Sequence, residues 1–257
     1  MKYSMSPLAF DPDFDFDPAS GHLSAVAADQ VSDYIRRESL DVEWILDTHI
    51  HADHLSAMAL LQARHGERTV IGAGVPAVQE IFGRRFNAGP EFGRDGSQFD
   101  VLVAEGDCLA LGELKIDVME TPGHTPACVT YVVGSAAFVG DTLFMPDYGT
   151  ARTDFPGGDA ATLYDSIQRI LALAPDTVLY LCHDYGTAQR SEFRNTATVA
   201  EQRANNVQIS VGMSRERFVR DGEGRDAKLA TPRLLLPSVQ FNMRGGNPPP
   251  AEANSQH

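Results

Sequence analysis

The run Thr48-His49-Ile50-His51-Ala52-Asp53-His54 places three imidazoles and a carboxylate within six positions, directly after the apolar segment Val42-Glu43-Trp44-Ile45-Leu46-Asp47. An apolar run that ends in ligand-type side chains reads as a buried strand delivering them to a metal. Imidazole and carboxylate together suit zinc, iron or manganese. Calcium and magnesium want all-oxygen shells, and soft copper sites recruit sulfur. A histidine-rich loop packed by chance competes with this reading when the motif is taken alone, because short motifs match by accident.

It does not stand alone. Thr121-Pro122-Gly123-His124, Val139-Gly140-Asp141-Thr142 and Leu181-Cys182-His183-Asp184-Tyr185 each put a ligand-type residue at a strand end or loop. In the first two, a glycine just before the ligand allows a tight turn that aims the next side chain into a cleft. Five of the eight histidines fall in these segments and the first motif, while His22, His65 and His257 sit in polar or terminal contexts. Singly, His124 or His183 would read as a satisfied packing histidine. Together with the first motif they read as ligands.

Charge and cysteine content narrow the functional classes. Thirty-five acidic against 21 basic residues give a formal charge of −14, which repels phosphate backbones and anionic membranes at long range. Nucleic acid and membrane partners are therefore not expected. Cys108, Cys128 and Cys182 are an odd count, which favours reduced thiols in a cytosol over a disulfide framework. No basic segment leads into an apolar core at the N-terminus, and no apolar run reaches membrane-spanning length, so a cytoplasmic protein is expected.

Periodicity gives an alternating α/β order. Residues 1–23 read as an irregular acidic lead-in, with Pro12 and Pro18 denying backbone donors. The spacing of Val26, Val31, Tyr34 and Ile35 predicts an amphipathic helix over 24–39, followed by the strand that ends at the histidine motif. Residues 56–64 read as helix and 69–73 as a short buried strand. The stretch 82–100, with four glycines and Pro90, reads as a long loop and a candidate lid. Short β-rich runs at 101–104, 108–111, 114–120, 128–133 and 136–139 suggest a second sheet. Helices are predicted over 160–173, 196–205 and 214–230, a strand over 177–181, and a flexible tail over 245–257. One domain over 24–244, carrying a C-terminal helical extension, is the simplest organisation.

The ordered set His-x-His-x-Asp-His, a later His, a later Asp and a final His resembles the signature of the metallo-β-lactamase superfamily, over about residues 41–205. That resemblance implies an α/β fold, a metallo-β-lactamase-like αββα sandwich. Only about ten residues precede the acidic Asp-Pro segment, so the opening N-terminal hairpin is expected to be lacking. Within the superfamily, Gly123-His124-Thr125-Pro126-Ala127-Cys128-Val129-Thr130-Tyr131, Ala151-Arg152-Thr153-Asp154-Phe155, His183-Asp184-Tyr185 and Asn242-Met243-Arg244 resemble the persulfide dioxygenase branch. Glyoxalase II, a hydrolytic relative, usually has His at the place of Cys128 and Glu at the place of Asp184.

The dioxygenase resemblance implies one Fe(II) per chain held by His49, His124 and Asp141, with His51, Asp53, His54 and His183 orienting ligands or water. Its reaction is oxidation of a small thiol-containing substrate, glutathione persulfide, by O2. Iron is implied because zinc has no accessible redox change. The hydrolytic alternative uses the same residues for two Zn or mixed Zn/Fe ions. His49, His51 and His124 would hold one, Asp53, His54 and His183 the other, and Asp141 would bridge, for attack on a thioester or lactone. Asp53 and Tyr185 are the catalytic candidates. Arg152, Tyr185 and Arg244 are substrate-binding candidates, and for Arg152 a salt bridge to Asp154 is an equal alternative. A homodimer is a possible assembly. Cys128 and Cys182 read as small buried residues in strands.

Overall fold

The structure, a computed structural model, describes residues 8–251. They divide into two compact units, one formed by the chain up to Val103 together with the stretch from Ala230 onward, the other by Ala104–Leu229.

In the first unit, β1 (Leu8–Phe10), β2 (Asp13–Asp17) and β3 (His22–Ser24) precede helix α1 (Val26–Arg37). Then come β4 (Trp44–Leu46), β5 (Leu55–Ser56), α2 (Met58–His65), β6 (Arg68–Gly72), α3 (Val75–Arg85) and β7 (Val101–Val103). The unit closes with a C-terminal helix, Leu235–Asn242. β1, β4, β6 and β7 form an all-parallel sheet in that order. β3, β2 and β5 form a small antiparallel sheet. Ile45, Leu46, Met58, Leu61, Val70 and Ile71 are buried to within 1%. Each such side chain withdrawn from water is worth about 1.5–3 kcal/mol.

The acidic lead-in is thus not irregular, since β2 and β3 pair through it, while a hairpin ahead of Asp11 would fall largely outside the described residues. Asp13-Phe14-Asp15-Phe16-Asp17 alternates with a period of two, which puts the carboxylates in water and the Phe rings inward as β2, hairpin-paired with β3. Phe14 meets Phe241 of the C-terminal helix edge-on at 5.9 Å. Helix α1 forms where expected but buries Ala28, Ser32 and Ile35, leaving Val26, Val31 and Tyr34 exposed. Ser32 belongs to the covered face because its hydroxyl accepts from Arg64 Nη1 at 3.1 Å.

The 82–100 stretch also departs from expectation. Phe82–Arg85 finishes α3, whose buried residues Val75, Val78, Gln79 and Phe82 recur at helical spacing. The remaining loop is tied down and does not form a loose lid. Gln79 Nε2 donates to Gln98 Oε1 at 2.6 Å and to the Met243 carbonyl at 3.0 Å, while its own oxygen accepts from Gly96 N at 2.9 Å. Strand 101–103 joins the first sheet beside β6 and not the second, because a parallel partner is reached through the α3 crossover. The expected tail begins with two buried glycines, Gly245 and Gly246, the first so close to the Gln98 carbonyl that a Cβ would lie 2.6 Å from it. Residues 252–257 of the tail lie outside the described residues.

In the second unit, β8 (Cys108–Leu111), β9 (Leu114–Glu120), β10 (Val129–Val133), β11 (Ala136–Phe138), β12 (Val178–Tyr180) and β13 (Thr196–Thr198) form one six-stranded sheet. Its neighbours are antiparallel except β11 and β12, which are joined through a crossover carrying α4 (Ala160–Leu171). Asp159 caps α4 by accepting from Thr162 N, and Leu163, Ile167 and Ile170 drive its buried face into a core with Val139, Leu143 and Leu179. α5 (Val199–Asn205) starts at a Thr198/Glu201 capping box, so the segment read as helix from 196 begins as strand. α6 (Arg215–Asp226) follows a Ser214 cap.

Candidate metal centre

In the first unit, β4 runs straight into the histidine motif, and Asp47, Thr48, His49 and His51 are all buried to within 1%. A residue from the lead-in organises them. Asp11 accepts Thr48 N at 2.6 Å and the Thr48 hydroxyl at 2.9 Å, and it pairs with His51 Nε2 at 2.9 Å. These bonds fix protons. The Thr48 hydroxyl is donated to Asp11, so its oxygen accepts from His49 Nδ1 at 3.0 Å and leaves His49 Nε2 as an electron-pair donor. Asp11 claims the Nε2 proton of His51, whose Nδ1 is buried with no hydrogen-bond partner among the described residues. The rings of His49 and His51 stand 4.0 Å apart and those of His51 and His54 4.1 Å. Ligand atoms of His51, Asp53 and His54 lie within 4.8 Å of one another.

The electrostatics call for a cation. Burial opposes a charged His51, but Asp11, Asp47 and Asp53 outweigh it and raise the imidazole to about 10. Burial pushes the neighbouring Asp47 carboxyl up to about 7. A proton on His51 Nδ1 would have nothing to donate to, and a metal ion at that nitrogen supplies the positive charge without stranding a donor.

The loop also depends on the far end of the chain. Asn242 Nδ2 donates to the carbonyls of His51 at 2.9 Å and His54 at 2.8 Å, and its oxygen accepts from Ser56 N at 2.7 Å.

In the second unit, His124, Asp141 and His183 come together about one carboxylate. Asp141 Oδ2 lies 3.7 Å from His124 Nε2, and its Oδ1 lies 3.3 Å from His183 Nε2. Gly123 takes φ +139° and lets the chain turn against α4, where a Cβ would come within 2.4 Å of the Leu163 backbone. His124 Nδ1 meets the Arg152 carbonyl at 2.7 Å. A carbonyl only accepts, so the proton is on Nδ1 and Nε2 presents its lone pair toward a carboxylate. A lone pair of His124 aimed at a buried carboxylate, with a second imidazole nitrogen at the carboxylate's other oxygen, fits a metal ion.

Asp184, next to His183, is held well below the usual carboxylate range by Arg190, helped by the amides of Arg194 and Gly186. Arg190 also grips Asp147, joining the loops that follow Asp141 and His183.

The remaining candidates are distributed unevenly. Tyr185 is 53% exposed and stands against Phe144 and Tyr148, 5.5 Å from the His183 ring. Arg152 makes a two-pronged pair with Asp154, at 2.6 and 2.7 Å, above the Phe155 ring, which is the salt-bridge alternative. Arg244 lies over Phe92 and donates to the Gln240 carbonyl at 2.6 Å. Cys128 is buried and receives the Thr125 amide at 3.3 Å, while Cys182 is only partly covered. Sequence reasoning missed Asp11, whose partners lie up to 40 residues away, and Asn242, which it noted for its motif without a role.

A profile described as the metallo-beta-lactamase superfamily matches residues 14–183. A probable metallo-hydrolase of Burkholderia pseudomallei is 52% identical over 95% of this chain and 86% of its own length. Glyoxylase B2 of Dictyostelium discoideum is 45% identical over 91% and 81%. The persulfide dioxygenase ETHE1 of Homo sapiens is 32% identical over 82% and 72%. Among solved structures, ETHE1 from Myxococcus xanthus superposes with a TM-score of 0.75 and 27% identity, covering 96% of this chain and 92% of its own.

Proposed function

The chain belongs to the metallo-β-lactamase superfamily, and from that premise we propose that it is an iron-dependent persulfide dioxygenase acting on glutathione persulfide. The observation that carries a metal-dependent reading is the forced protonation of the imidazoles. His49 and His124 each carry their proton on Nδ1, toward Thr48 and the Arg152 carbonyl, and so offer Nε2. In this reading His49, His124 and Asp141 are the ligands. Two imidazoles and one carboxylate leave coordination positions for a thiolate sulfur and for O2. Bound iron would supply the redox change that oxidation of sulfur requires. The overall reaction balances as GSSH + O2 + H2O → GSH + H2SO3, the sulfurous acid ionising to sulfite.

The protein's own groups prepare that chemistry. Asp11 fixes His51, Thr48 fixes His49 and the Arg152 carbonyl fixes His124, so no ring has to reorient on loading. In this reading Tyr185, exposed beside His183, would meet the substrate. Arg244 on its Phe92 platform offers a cation to a glutathione carboxylate. Arg152 would first have to release Asp154 to do so. The match to the human persulfide dioxygenase and the extent of the Myxococcus ETHE1 superposition support this branch.

Two features favour a second reading, a binuclear hydrolase of thioesters or lactones. His51 Nδ1, which suits a cation, lies outside the single-iron ligand set. The two oxygens of Asp141 face different imidazoles, as a carboxylate bridging two ions would. The names of the 52% and 45% identical relatives agree with it. Elemental analysis of anaerobically purified protein, coupled to an O2 electrode with glutathione persulfide, separates the two. About one iron per chain with persulfide-dependent O2 uptake is expected. About two zinc ions with no uptake and with thioester turnover would overturn the dioxygenase reading.

A further inference from the structure

Building on the reading of His124 as a metal ligand, we propose that Asp226 and Arg225, at the end of α6, are positioning residues that set the His124 imidazole through a single peptide group. The carbonyl that receives His124 Nδ1–H belongs to Arg152, and the other end of that same peptide plane is the N–H of Thr153. Asp226 Oδ2 accepts this N–H at 2.8 Å, and the Thr153 hydroxyl reaches the same oxygen at 3.3 Å. The peptide is planar, with C=O and N–H pointing in opposite directions. The result is a line from carboxylate to amide to imidazole. A carboxylate accepting the N–H polarises the amide and makes its oxygen a stronger acceptor. His124 therefore sits in the equivalent of a carboxylate–histidine pair with one peptide inserted, an arrangement that fixes the tautomer and raises the basicity of Nε2.

The line is built to hold its charge. Asp226 is only 2% exposed, and Arg225 Nε pairs with its Oδ1 at 2.7 Å. The Arg225 guanidinium extends the grip to the preceding peptides, donating from Nη1 to the Thr150 carbonyl at 3.1 Å and from Nη2 to the Ala151 carbonyl at 2.7 Å. The segment 151–155 has no helix or strand of its own, so these bonds from α6 hold the Arg152 carbonyl in place. Gly158 lets the chain pass close beneath it, where a Cβ would come within 2.3 Å of the Thr153 carbonyl.

The test uses two readouts on the full chain. In metal-free protein, nitrogen NMR of the His124 ring should show one Nδ1–H tautomer in the wild type and a mixture in Asp226→Ala. In chelator competition with Zn(II), Asp226→Ala should bind about 10–100-fold more weakly, the usual effect of losing such an outer partner. Asp226→Asn keeps an acceptor oxygen without the charge and should retain the tautomer while losing less affinity than Asp226→Ala. If Asp226→Ala does not fold, Arg225→Leu, which removes the guanidinium that bonds Asp226, Thr150 and Ala151, is read in the same two ways. A folded Asp226→Ala that keeps a single Nδ1–H tautomer and wild-type affinity overturns the proposal. A wild-type chain that binds no Zn(II) overturns the metal reading instead, and the NMR comparison still decides whether the clamp orients His124.

Discussion

Gly123→Ala tests how the second unit aims His124. At φ +139° an alanine pays backbone strain of about 1–3 kcal/mol. Its Cβ would also lie 2.4 Å from Leu163 N and Cα, which are helix backbone atoms that cannot swing aside as a side chain would. Moving α4 to relieve that overlap costs a further ~1–3 kcal/mol, as overpacking generally does. The sum, about 2–6 kcal/mol, centres near 4 and corresponds to a fall in Tm of about 8–16 °C at roughly 2–4 °C per kcal/mol for a chain of this size. Gly134→Ala is the control, because Gly134 is also left-handed at φ +59° but has nothing within 4 Å of its would-be Cβ. It should cost only about 1 kcal/mol, or about 2–4 °C. Calorimetry on metal-free protein reads both variants. A Gly123→Ala protein that melts within about 2 °C of Gly134→Ala would refute the claim that close approach to α4 fixes this turn.

Chelation of the bound metal should lower Tm, since an ion present at about 100 times its Kd contributes about 2.7 kcal/mol; an unchanged Tm with proven metal loss would count against the ligand sets described. Asp11→Ala should weaken Zn(II) binding by about 10–100-fold in chelator competition, because Asp11 holds both His51 and Thr48, and undiminished affinity would refute that role. Asp184 makes an acid-range prediction. Arg190 depresses its folded pKa below the unfolded value near 3.8, so its contribution is fully present above that value and drains away as the pH falls through it toward the folded pKa. Urea titrations should therefore show Asp184→Asn weaker than wild type by a constant margin above about pH 5, with the margin shrinking below about pH 4. A margin that widens in acid would refute the sign.

The candidate ligands are legible because metal chemistry uses few residue types, and five histidines cluster in segments that follow strands. Strand and helix order followed where periodicity was unbroken, as at 160–171. Reading failed where two signals competed. Asp13–Asp17 has both turn-forming acids and a clean two-residue alternation, and partial burial of Phe14 and Phe16 decides for the strand. In α1 the larger apolar residues suggest one inner face, whereas the small Ala28 and Ser32 permit close packing on another. Asp11, Asn242 and Asp226 were out of reach for a different reason. Each acts across more than 35 residues of chain, and nothing local to an Asp or Asn announces a partner at that distance.

The contact of Asn242 with the histidine loop has a consequence for how the protein is made. Its side chain holds two carbonyls within the motif and the amide of Ser56, more than 185 residues earlier in the chain. During synthesis the His51–His54 turn is therefore finished long before the residue that secures it exists. At typical elongation rates of about 5–20 residues per second, that interval lasts roughly 10–40 s. Throughout it His51 and His54 exist without the bonds that hold their loop. Faithful metal loading belongs after residue 242 has docked, and a ribosome-stalled chain ending before it should take up metal with poorer discrimination than the released protein.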